Sequence, residues 1–250
     1  MICHEHECVF IHIPKNAGQS IESVFLGLVN LTWAARAPLL LRANTDPKAG
    51  PPRLAHLKAH EYVGCGHLAQ EQFTRYFKFA FVRNPWDRMV SIYKYMGLRK
   101  GLSFKEFLMG EFKSDIWKNR HWFVGPQVGF ICSPGGELMV DFLGRFEKLQ
   151  EDFQVVCQRL GLPALKLPHV NHSKGVKLGT ALKQALRKKI GVFFGAEGPT
   201  VYRNYEDYYD EESKEFVAQL YANDIERFGY HFRREAVEIP AQPELINARA

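Results

Sequence analysis

The chain has 250 residues, 46% of them apolar, which is enough to bury one substantial core and predicts a single domain over residues 1–250. Lysine and arginine (33) outnumber aspartate and glutamate (27) for a net charge of +6, without any long basic tract. This balance favours an anionic ligand or acceptor and argues against a protein that binds nucleic acid through charge alone. No apolar run reaches the roughly 18 residues of a membrane span, so we expect no integral membrane segment.

The cysteines are odd in number and scattered, which predicts reduced thiols and no disulfide framework. The segment CHEHEC, residues 3–8, interleaves two histidines with two cysteines and could be read as a zinc site. It lacks a paired CxxC, however, and Cys8 begins an apolar run typical of a buried strand. We therefore expect no metal site.

Two apolar runs predict the centre of the fold. CVFIHI (8–13) and FKFAFV (77–82) each precede a polar turn and then a stretch with helical periodicity. This pattern predicts an α/β, P-loop-like, three-layer fold with a central parallel sheet flanked by helices. The two helices begin near Gln19 and Trp86, so their N-termini point to the carboxyl edge of the sheet, where ligands usually bind.

The remaining segments predict three further elements and two irregular ones. Residues 138–149 suggest another strand, residues 149–163 a helix, and residues 210–228 a last, single helix. Proline and glycine in TDPKAGPPRL make residues 33–57 a long loop or flap. The final stretch, residues 237–250, is expected to be a loose tail.

The sequence PKNAGQS, residues 14–20, predicts an anion-binding loop that differs from the Walker loop. In GxxxxGK followed by Ser or Thr the lysine follows the last glycine, whereas Lys15 stands three positions before Gly18. The backbone N–H groups of Asn16, Ala17, Gly18, Gln19 and Ser20, a helix N-terminus, an ammonium and a hydroxyl would all converge on one spot. The alternative is a plain strand-to-helix turn that needs Gly18 only for its backbone freedom.

The sequence FVRNPWDRMVSIY, residues 81–93, predicts a second anion site. Arg83 ends the strand, Pro85 starts the helix with Asn84 as its cap, and Ser91 lies about two turns along. A phosphate held there would be bonded by a guanidinium fork and a hydroxyl. Two such sites on adjacent loops require a ligand with two separated anionic groups, and a mononucleotide with a phosphate at each end of its ribose meets that demand.

These two segments resemble the 5′-phosphosulfate loop and the 3′-phosphate motif of sulfotransferases that use 3′-phosphoadenosine 5′-phosphosulfate (PAPS). The resemblance is to the carbohydrate sulfotransferase superfamily, which includes heparan sulfate 2-O-sulfotransferase and its bacterial homologues. GRFEKLQEDF and YDEESKEFVAQLYANDIERFGY also resemble later segments of that family, so the likeness spans most of the chain. It implies PAPS as co-substrate and no metal.

The resemblance also implies roles for single residues. Lys15 would contact the phosphosulfate and the bridging oxygen of the leaving group, and Gly18–Ser20 would bind the same group. Sulfuryl transfer leaves negative charge on that oxygen, and an ammonium stabilises it more in the transition state than in the ground state. Arg83 and Ser91 would bind the 3′-phosphate. Arg203 either reaches the same phosphate or pairs with nearby acidic residues.

A general base must take the proton of the acceptor hydroxyl, and histidine suits this task at neutral pH. His67 is the first candidate, because CGHL resembles the family's HGH-type segment, whose second histidine is the base. Cys65 stands where the first histidine would be. His60 is the second candidate, with Glu61 as a carboxylate alternative. His12, inside the first strand, is expected to be a packed core histidine.

The sequence gives fewer indications of which residues bind the acceptor than of which residues bind the donor. NRHWFVGPQ, residues 119–127, offers Arg120, His121 and Gln127 as acceptor-binding residues. The predicted acceptor is a hydroxyl of a glycan or glycolipid. The missing membrane anchor and the unpaired cysteines predict a bacterial cytoplasmic enzyme. The alternatives are an atypical nucleotide kinase, disfavoured because no clear aspartate for magnesium accompanies the loop, and a non-catalytic homologue that binds nucleotides or anionic glycans.

Overall fold

A computed structural model describes residues 1–168 and 204–232, and a four-stranded sheet forms its centre. The strands lie in the order β1 (Ile2–Cys3), β2 (Cys8–Ile11), β3 (Phe77–Val82) and β4 (Phe142–Arg145). β2, β3 and β4 are parallel, whereas β1 pairs antiparallel with β2. The predicted α/β fold with a mainly parallel sheet is confirmed. The antiparallel edge is an addition, since a two-residue strand shows no periodicity.

The helices of the described residues are α1 (Gly18–Leu28), α2 (Glu61–Gly64), α3 (Gln70–Arg75), α4 (Pro85–Met96), α5 (Phe104–Glu106), α6 (Trp117–Asn119), α7 (His121–Val124), α8 (Val128–Ile131), α9 (Leu149–Arg159), α10 (Glu211–Leu220) and α11 (Ala222–Phe228). A π-helical stretch, Phe107–Ile116, joins α5 to α6. The segment predicted as a loop or flap, residues 33–57, contains the short 3₁₀ turns Ala37–Leu39, Pro47–Ala49 and Leu54–His56. Other 3₁₀ turns are Leu98–Lys100, Phe146–Lys148 and Glu206–Tyr208.

Helices cover both faces of the sheet. Successive strand residues point to opposite faces, and nearly every residue of β2 and β3 is buried. Phe10, Phe79 and Phe81 pack on the face covered by α1 and α9, whereas Ala80 and Val82 lie on the face covered by α2, α3 and α8. Burial on both faces explains why these strands appear in the sequence as continuous apolar runs.

The predicted start of the second helix is confirmed, but the prediction of one helix over residues 210–228 is wrong. Asn84 caps α4, with its side-chain oxygen accepting from the backbone N–H of Trp86 at 3.0 Å. The last helix breaks at Tyr221, between α10 and α11. The buried hydroxyl of Tyr221 donates to the carbonyl of Val124 at 2.7 Å, so a tertiary contact overrides the helical pattern.

The connection from β2 to α1 is shaped by close packing at Gly18. Positive φ angles occur at Lys15 (73°) and Ala17 (61°), and Gly18 is not among the residues with positive φ. A β-carbon added to Gly18 would lie 1.9 Å from Nε2 of His12. Glycine is therefore required here because the loop lies directly against the His12 ring, and not for backbone freedom.

This packing predicts that Gly18→Ala lowers the free energy of unfolding by about 1–3 kcal/mol, because the added methyl group overlaps the His12 ring. Gly27 lies on the same helix, and a β-carbon there would meet no atom within 4 Å. Gly27→Ala is the matched control and should be neutral or stabilising by up to about 1 kcal/mol. Urea unfolding of the two variants measures the difference. Equal stability of both variants would contradict this role of Gly18.

Candidate active site

The two predicted anion-binding loops are joined by hydrogen bonds. Nη1 of Arg83 donates to the carbonyl of Lys15 at 3.0 Å. Oε1 of Gln127 accepts from Nδ2 of Asn16 at 2.8 Å and from the backbone N–H of Arg83 at 2.9 Å. Nε2 of Gln127 donates to the carbonyl of Arg83 at 2.8 Å. One amide side chain thus fixes the position of the first loop relative to the second.

Gln127 is completely buried, and hydrogen bonds to its backbone fix its position. Its backbone N–H and that of Val128 donate to the carboxylate of Asp224 at 2.8 and 2.9 Å. Burial raises the pKa of Asp224, while these bonds oppose that shift. The sequence predicts Gln127 as an acceptor-binding residue, but both ends of its amide are used within the protein. The geometry favours a positioning role.

The guanidinium of Arg83 is oriented before any ligand binds. Nε and Nη2 contact the two carboxylate oxygens of Asp87 at 2.9 Å each, and the guanidinium lies 3.9 Å from the ring centroid of Phe146. Nε, Nη1 and Nη2 each use one N–H in these contacts, so two of the five N–H groups of arginine have no partner among residues 1–168 and 204–232. Ser91 is half-buried one turn after Asp87 on the same face of α4, and its binding of a phosphate stays a prediction.

The first loop places a lysine beside the N-terminus of α1. Lys15 is half-buried, and its Nζ lies 4.7 Å from the ring centroid of Tyr95. Gln19 and Ser20 are half-buried in the first turn of α1, which contains no acidic residue. No acidic side chain of that turn neutralises the positive end of the helix dipole, which would stabilise an anion in the loop.

His56, which the sequence analysis does not single out, lies beside this loop. The residue is 7% exposed, and its ring stands 4.5 Å from that of His12, centroid to centroid. Nδ1 of His56 bonds to the carbonyl of His12 at 3.1 Å, and because a carbonyl only accepts, Nδ1 carries the proton. Burial, with a smaller contribution from His12, lowers the pKa of His56 well below its usual value. His56 is therefore neutral at pH 7, with Nε2 as the unprotonated nitrogen.

His12 is a packed histidine, as predicted. It is buried, stacks on Phe10 at 5.5 Å and places Nδ1 2.5 Å from the carboxylate of Glu22 on α1. Its ring lies against Gly18 and beside the ring of His56, so it packs directly against the start of α1.

Neither of the two predicted general bases, His67 and His60, has a described contact with the loop of residues 14–20. Nε2 of His67 donates to the carbonyl of Ala49 at 2.7 Å, and none of the described hydrogen bonds or ring contacts of His67 reaches residues 14–20. His60 directly precedes α2, and its Nδ1 is buried without a hydrogen-bond partner among the described residues. Neither arrangement tests catalysis, so the assignments of His67 and His60 as general base stay predictions.

An aromatic rim, formed by Tyr95, Trp122 and Phe123, connects Lys15 to His56. Tyr95 stacks on Phe123 with ring centroids 5.7 Å apart, and Phe123 and Trp122 lie 5.7 and 5.9 Å from the His56 ring. Tyr95 is 37% exposed, so part of the rim faces solvent. Such flat surfaces suit the apolar face of an organic acceptor.

Arg120 and His121 are exposed at the break between α6 and α7, next to this rim in sequence. The ring of His121 packs on Trp117 at 4.8 Å. Partial burial and the positive charge of Lys58 lower the pKa of His121. Binding of an acceptor by Arg120 and His121 stays a prediction.

The CHEHEC segment forms a hairpin in which the two cysteines pair, while Nδ1 of His4 bonds to the hydroxyl of Tyr76 at 2.9 Å. Cys3 and Cys8 are cross-strand partners of β1 and β2, and a hydrogen bond from the Cys8 thiol lowers the pKa of Cys3 to about 7. No group of three or more His, Cys, Asp or Glu side chains within residues 1–168 and 204–232 is arranged to hold a metal ion. In the same part of the chain, no helix is both long and apolar enough to cross a membrane.

Two predictions fall outside the described residues. They are the binding of the 3′-phosphate by Arg203 and the loose tail over residues 237–250.

Comparison with known proteins places the chain among sulfotransferases. A curated zebrafish (Danio rerio) protein, carbohydrate sulfotransferase 14, is 24% identical over 192 residues, covering 65% of this chain and 48% of that protein. Mouse (Mus musculus) carbohydrate sulfotransferase 11 is 25% identical over 206 residues, covering 67% and 54%. An uncharacterized Archaeoglobus fulgidus protein is 32% identical over 99 residues, covering 38% and 77%.

The chain spans about half the length of the two carbohydrate sulfotransferases. No solved structure gives a significant match. The sulfotransferase family model matches residues 1–231, which include both predicted anion-binding loops and the elements that join them. The chain belongs to the sulfotransferase family.

Proposed function

We propose that this chain transfers a sulfuryl group from PAPS to a hydroxyl of a carbohydrate. The observation that carries the proposal is the junction of two anion-binding loops through Gln127 and the bond between Arg83 and the Lys15 carbonyl. Anion sites held at a fixed separation suit a nucleotide with phosphates on both ends of its ribose. The names of the carbohydrate sulfotransferases 14 and 11 support a carbohydrate acceptor.

On the donor side, each residue has a distinct task. The loop N–H groups at Asn16–Gln19, the hydroxyl of Ser20 and the N-terminus of α1 bind the 5′-phosphosulfate, while Lys15 stabilises the oxygen that bridges sulfur and phosphorus. The backbone N–H of Ser20 does not take part, because it donates to the carbonyl of Ala17 at 3.0 Å. Arg83 and Ser91 bind the 3′-phosphate, using the N–H groups that Asp87 and Lys15 leave available. No metal is required, because the ammonium meets the charge that develops on the leaving oxygen.

On the acceptor side, we propose His56 as the general base. The acceptor oxygen forms its bond to sulfur as the bond from sulfur to the bridging oxygen breaks, and the hydroxyl proton passes to Nε2 of His56. The bond from Nδ1 to the His12 carbonyl fixes the tautomer that leaves Nε2 as acceptor, and the low pKa keeps it unprotonated. Adenosine 3′,5′-bisphosphate is released. His67 and His60 are the competing candidates.

The competing functions make different demands. A nucleotide kinase needs magnesium and a site for the γ-phosphate, and the loop lacks the lysine after Gly18 that Walker loops provide. A non-catalytic homologue would bind the nucleotide but gain nothing from a neutral histidine beside the loop. The sulfotransferase proposal uses both features.

The donor site predicts how nucleotides bind. Adenosine 3′,5′-bisphosphate should bind with micromolar affinity in a calorimetric titration, and 5′-AMP should bind about 2 kcal/mol more weakly because charge-assisted hydrogen bonds are lost. Arg83→Ala should remove most of this difference. Arg75→Ala, an exposed arginine paired with Glu7, is the matched control and should change neither ligand. Equal weakening of both ligands by Arg83→Ala, or tightest binding of ATP with magnesium, would refute the site.

The base assignment predicts a separate outcome. His56→Ala should lower kcat by about 10²–10⁴-fold with unchanged affinity for the bisphosphate, because a general base acts only on the chemical step. Because burial lowers the pKa of His56, kcat/KM of the wild type should stay level as the pH falls through 6.5 and decline only in more acidic buffer.

The same assay on His67→Ala and His60→Ala separates the candidates. If either of these variants loses kcat to that extent while His56→Ala remains active, the base is not His56.

A further inference from the structure

A buried carboxylate close to the first anion-binding loop has no task in the proposed function. Glu22 lies in α1, two residues after the loop of residues 14–20, and is 2% exposed. Asp224, the other carboxylate buried in the part of the chain that the structure describes, accepts from two backbone N–H groups. Glu22 instead faces a titratable ring, since its Oε1 lies 2.5 Å from Nδ1 of His12. Carboxylates are rarely buried unless they are paired, so Glu22 and His12 form one unit.

The surroundings of Glu22 leave His12 as the partner that can balance its charge. No lysine or arginine within residues 1–168 and 204–232 lies within ion-pair distance of Glu22. The charge of Glu22 also acts on the amino group of Met1 and the hydroxyl of Tyr62. Both are uncharged at pH 7, because burial lowers the pKa of the Met1 amino group to about 5 and raises the pKa of Tyr62.

The chemistry of the two groups decides where their proton lies. Burial disfavours a pair with a net negative charge, because an unbalanced charge in the interior is costly. In a pair that is neutral overall, the shared proton lies on His12, since imidazole is ordinarily a stronger base than a carboxylate. His12 is then an imidazolium, and Glu22 is its counterion.

The ring of His12 also lies against the proposed base. Its centroid is 4.5 Å from that of His56, and the His12 carbonyl accepts from Nδ1 of His56 at 3.1 Å. Two positive charges at this separation repel each other in a protein interior. Burial is the first cause of the low pKa of His56 and the charge of His12 is the second, while Arg53 and the Met1 amino group contribute less. An imidazolium at His12 therefore favours the uncharged form of His56.

We propose that Glu22 is a positioning residue that keeps His12 protonated and thereby leaves His56 as the unprotonated ring that accepts the hydroxyl proton. The pair turns its positive end towards His56, and the same repulsion favours release of the proton after each transfer. The inference rests on the proposed function, because it gives Glu22 and His12 a task in the reaction of His56.

The variant that tests this inference is Glu22→Gln, whose amide oxygen can still accept from Nδ1 of His12 but carries no charge. Without a counterion, His12 loses its proton in the interior. Because the ring and not the carboxylate contacts His56, losing the imidazolium outweighs losing the negative charge. His56 should then take up a proton at a higher pH than in the wild type.

The measurement is an NMR titration of the nitrogen-15-labelled histidine rings, with signals assigned by their loss in His12→Gln and His56→Gln. In the wild type at pH 7, His12 should show two protonated ring nitrogens and His56 one. In Glu22→Gln, His12 should show one, and the titration midpoint of His56 should rise by about one pH unit.

Kinetics provide a second readout that a purely structural role would not change. In Glu22→Gln, the acid limb of kcat/KM should move to higher pH by the same amount, so that kcat/KM falls by about tenfold in acidic buffer and stays near that of the wild type in alkaline buffer. Affinity for adenosine 3′,5′-bisphosphate should be unchanged. Glu71→Gln, which changes an exposed glutamate on α3, is the matched control and should alter neither the titration nor the pH profile.

The inference is overturned if His12 is uncharged at pH 7 in the wild type, or if the midpoint of His56 in Glu22→Gln equals that in Glu71→Gln. The first of these measurements needs no variant, so it decides the matter even where Glu22→Gln fails to fold. The titrations contain no nucleotide or acceptor. Full activity of His56→Ala would refute the proposed base but leave the effect of Glu22 on the His56 titration intact, so the two failures are distinguishable.

Discussion

The site depends on a neutral amide buried between two loops. Gln127 accepts from Asn16 and from Arg83 and donates back to Arg83, so the ends of β2 and β3 are locked at one separation. An amide can donate and accept at once, which a carboxylate or an ammonium cannot do, and it adds no buried charge. Asp224 holds the amide from behind, and buried Arg88 links Pro14 to the carbonyls of the segment before α8. A rigid frame of this kind suits recognition of two anionic groups at a fixed distance.

The charged side chains around this frame place positive charge next to the two proposed anion sites. The first turn of α1 carries no acid, and Lys15 rests on Tyr95. Asp87 offsets part of the charge of Arg83 but orients its guanidinium, so fewer rotamers are lost when a phosphate binds. On the acceptor side, burial keeps His56 neutral beside these cations. In the proposed mechanism, the donor side carries positive charge while the acceptor side carries an uncharged base, which suits transfer of an anionic group to a hydroxyl.

Local features could be predicted from the sequence, and long-range ones could not. The strands, both loops and the Asn84 cap depend on neighbouring residues, so periodicity and turn chemistry reveal them. His56 lies in a segment without periodicity and meets the His12 carbonyl across 44 residues, so no local pattern marks it. Gln127 was identifiable as a polar residue near the site, but its partner Asn16 is 111 residues away. The break at Tyr221 likewise follows from a contact 97 residues distant.

The most direct test of the account is transfer of radiolabelled sulfate from PAPS to a pool of neutral and acidic oligosaccharides in the presence of a metal chelator. The wild type is compared with Lys15→Ala. Transfer should persist with chelator and fall by about 10²–10³-fold in the variant, because the ammonium stabilises charge that develops on the bridging oxygen. Transfer that is lost on chelation, or that is equal in both proteins, would contradict sulfuryl transfer assisted by this lysine.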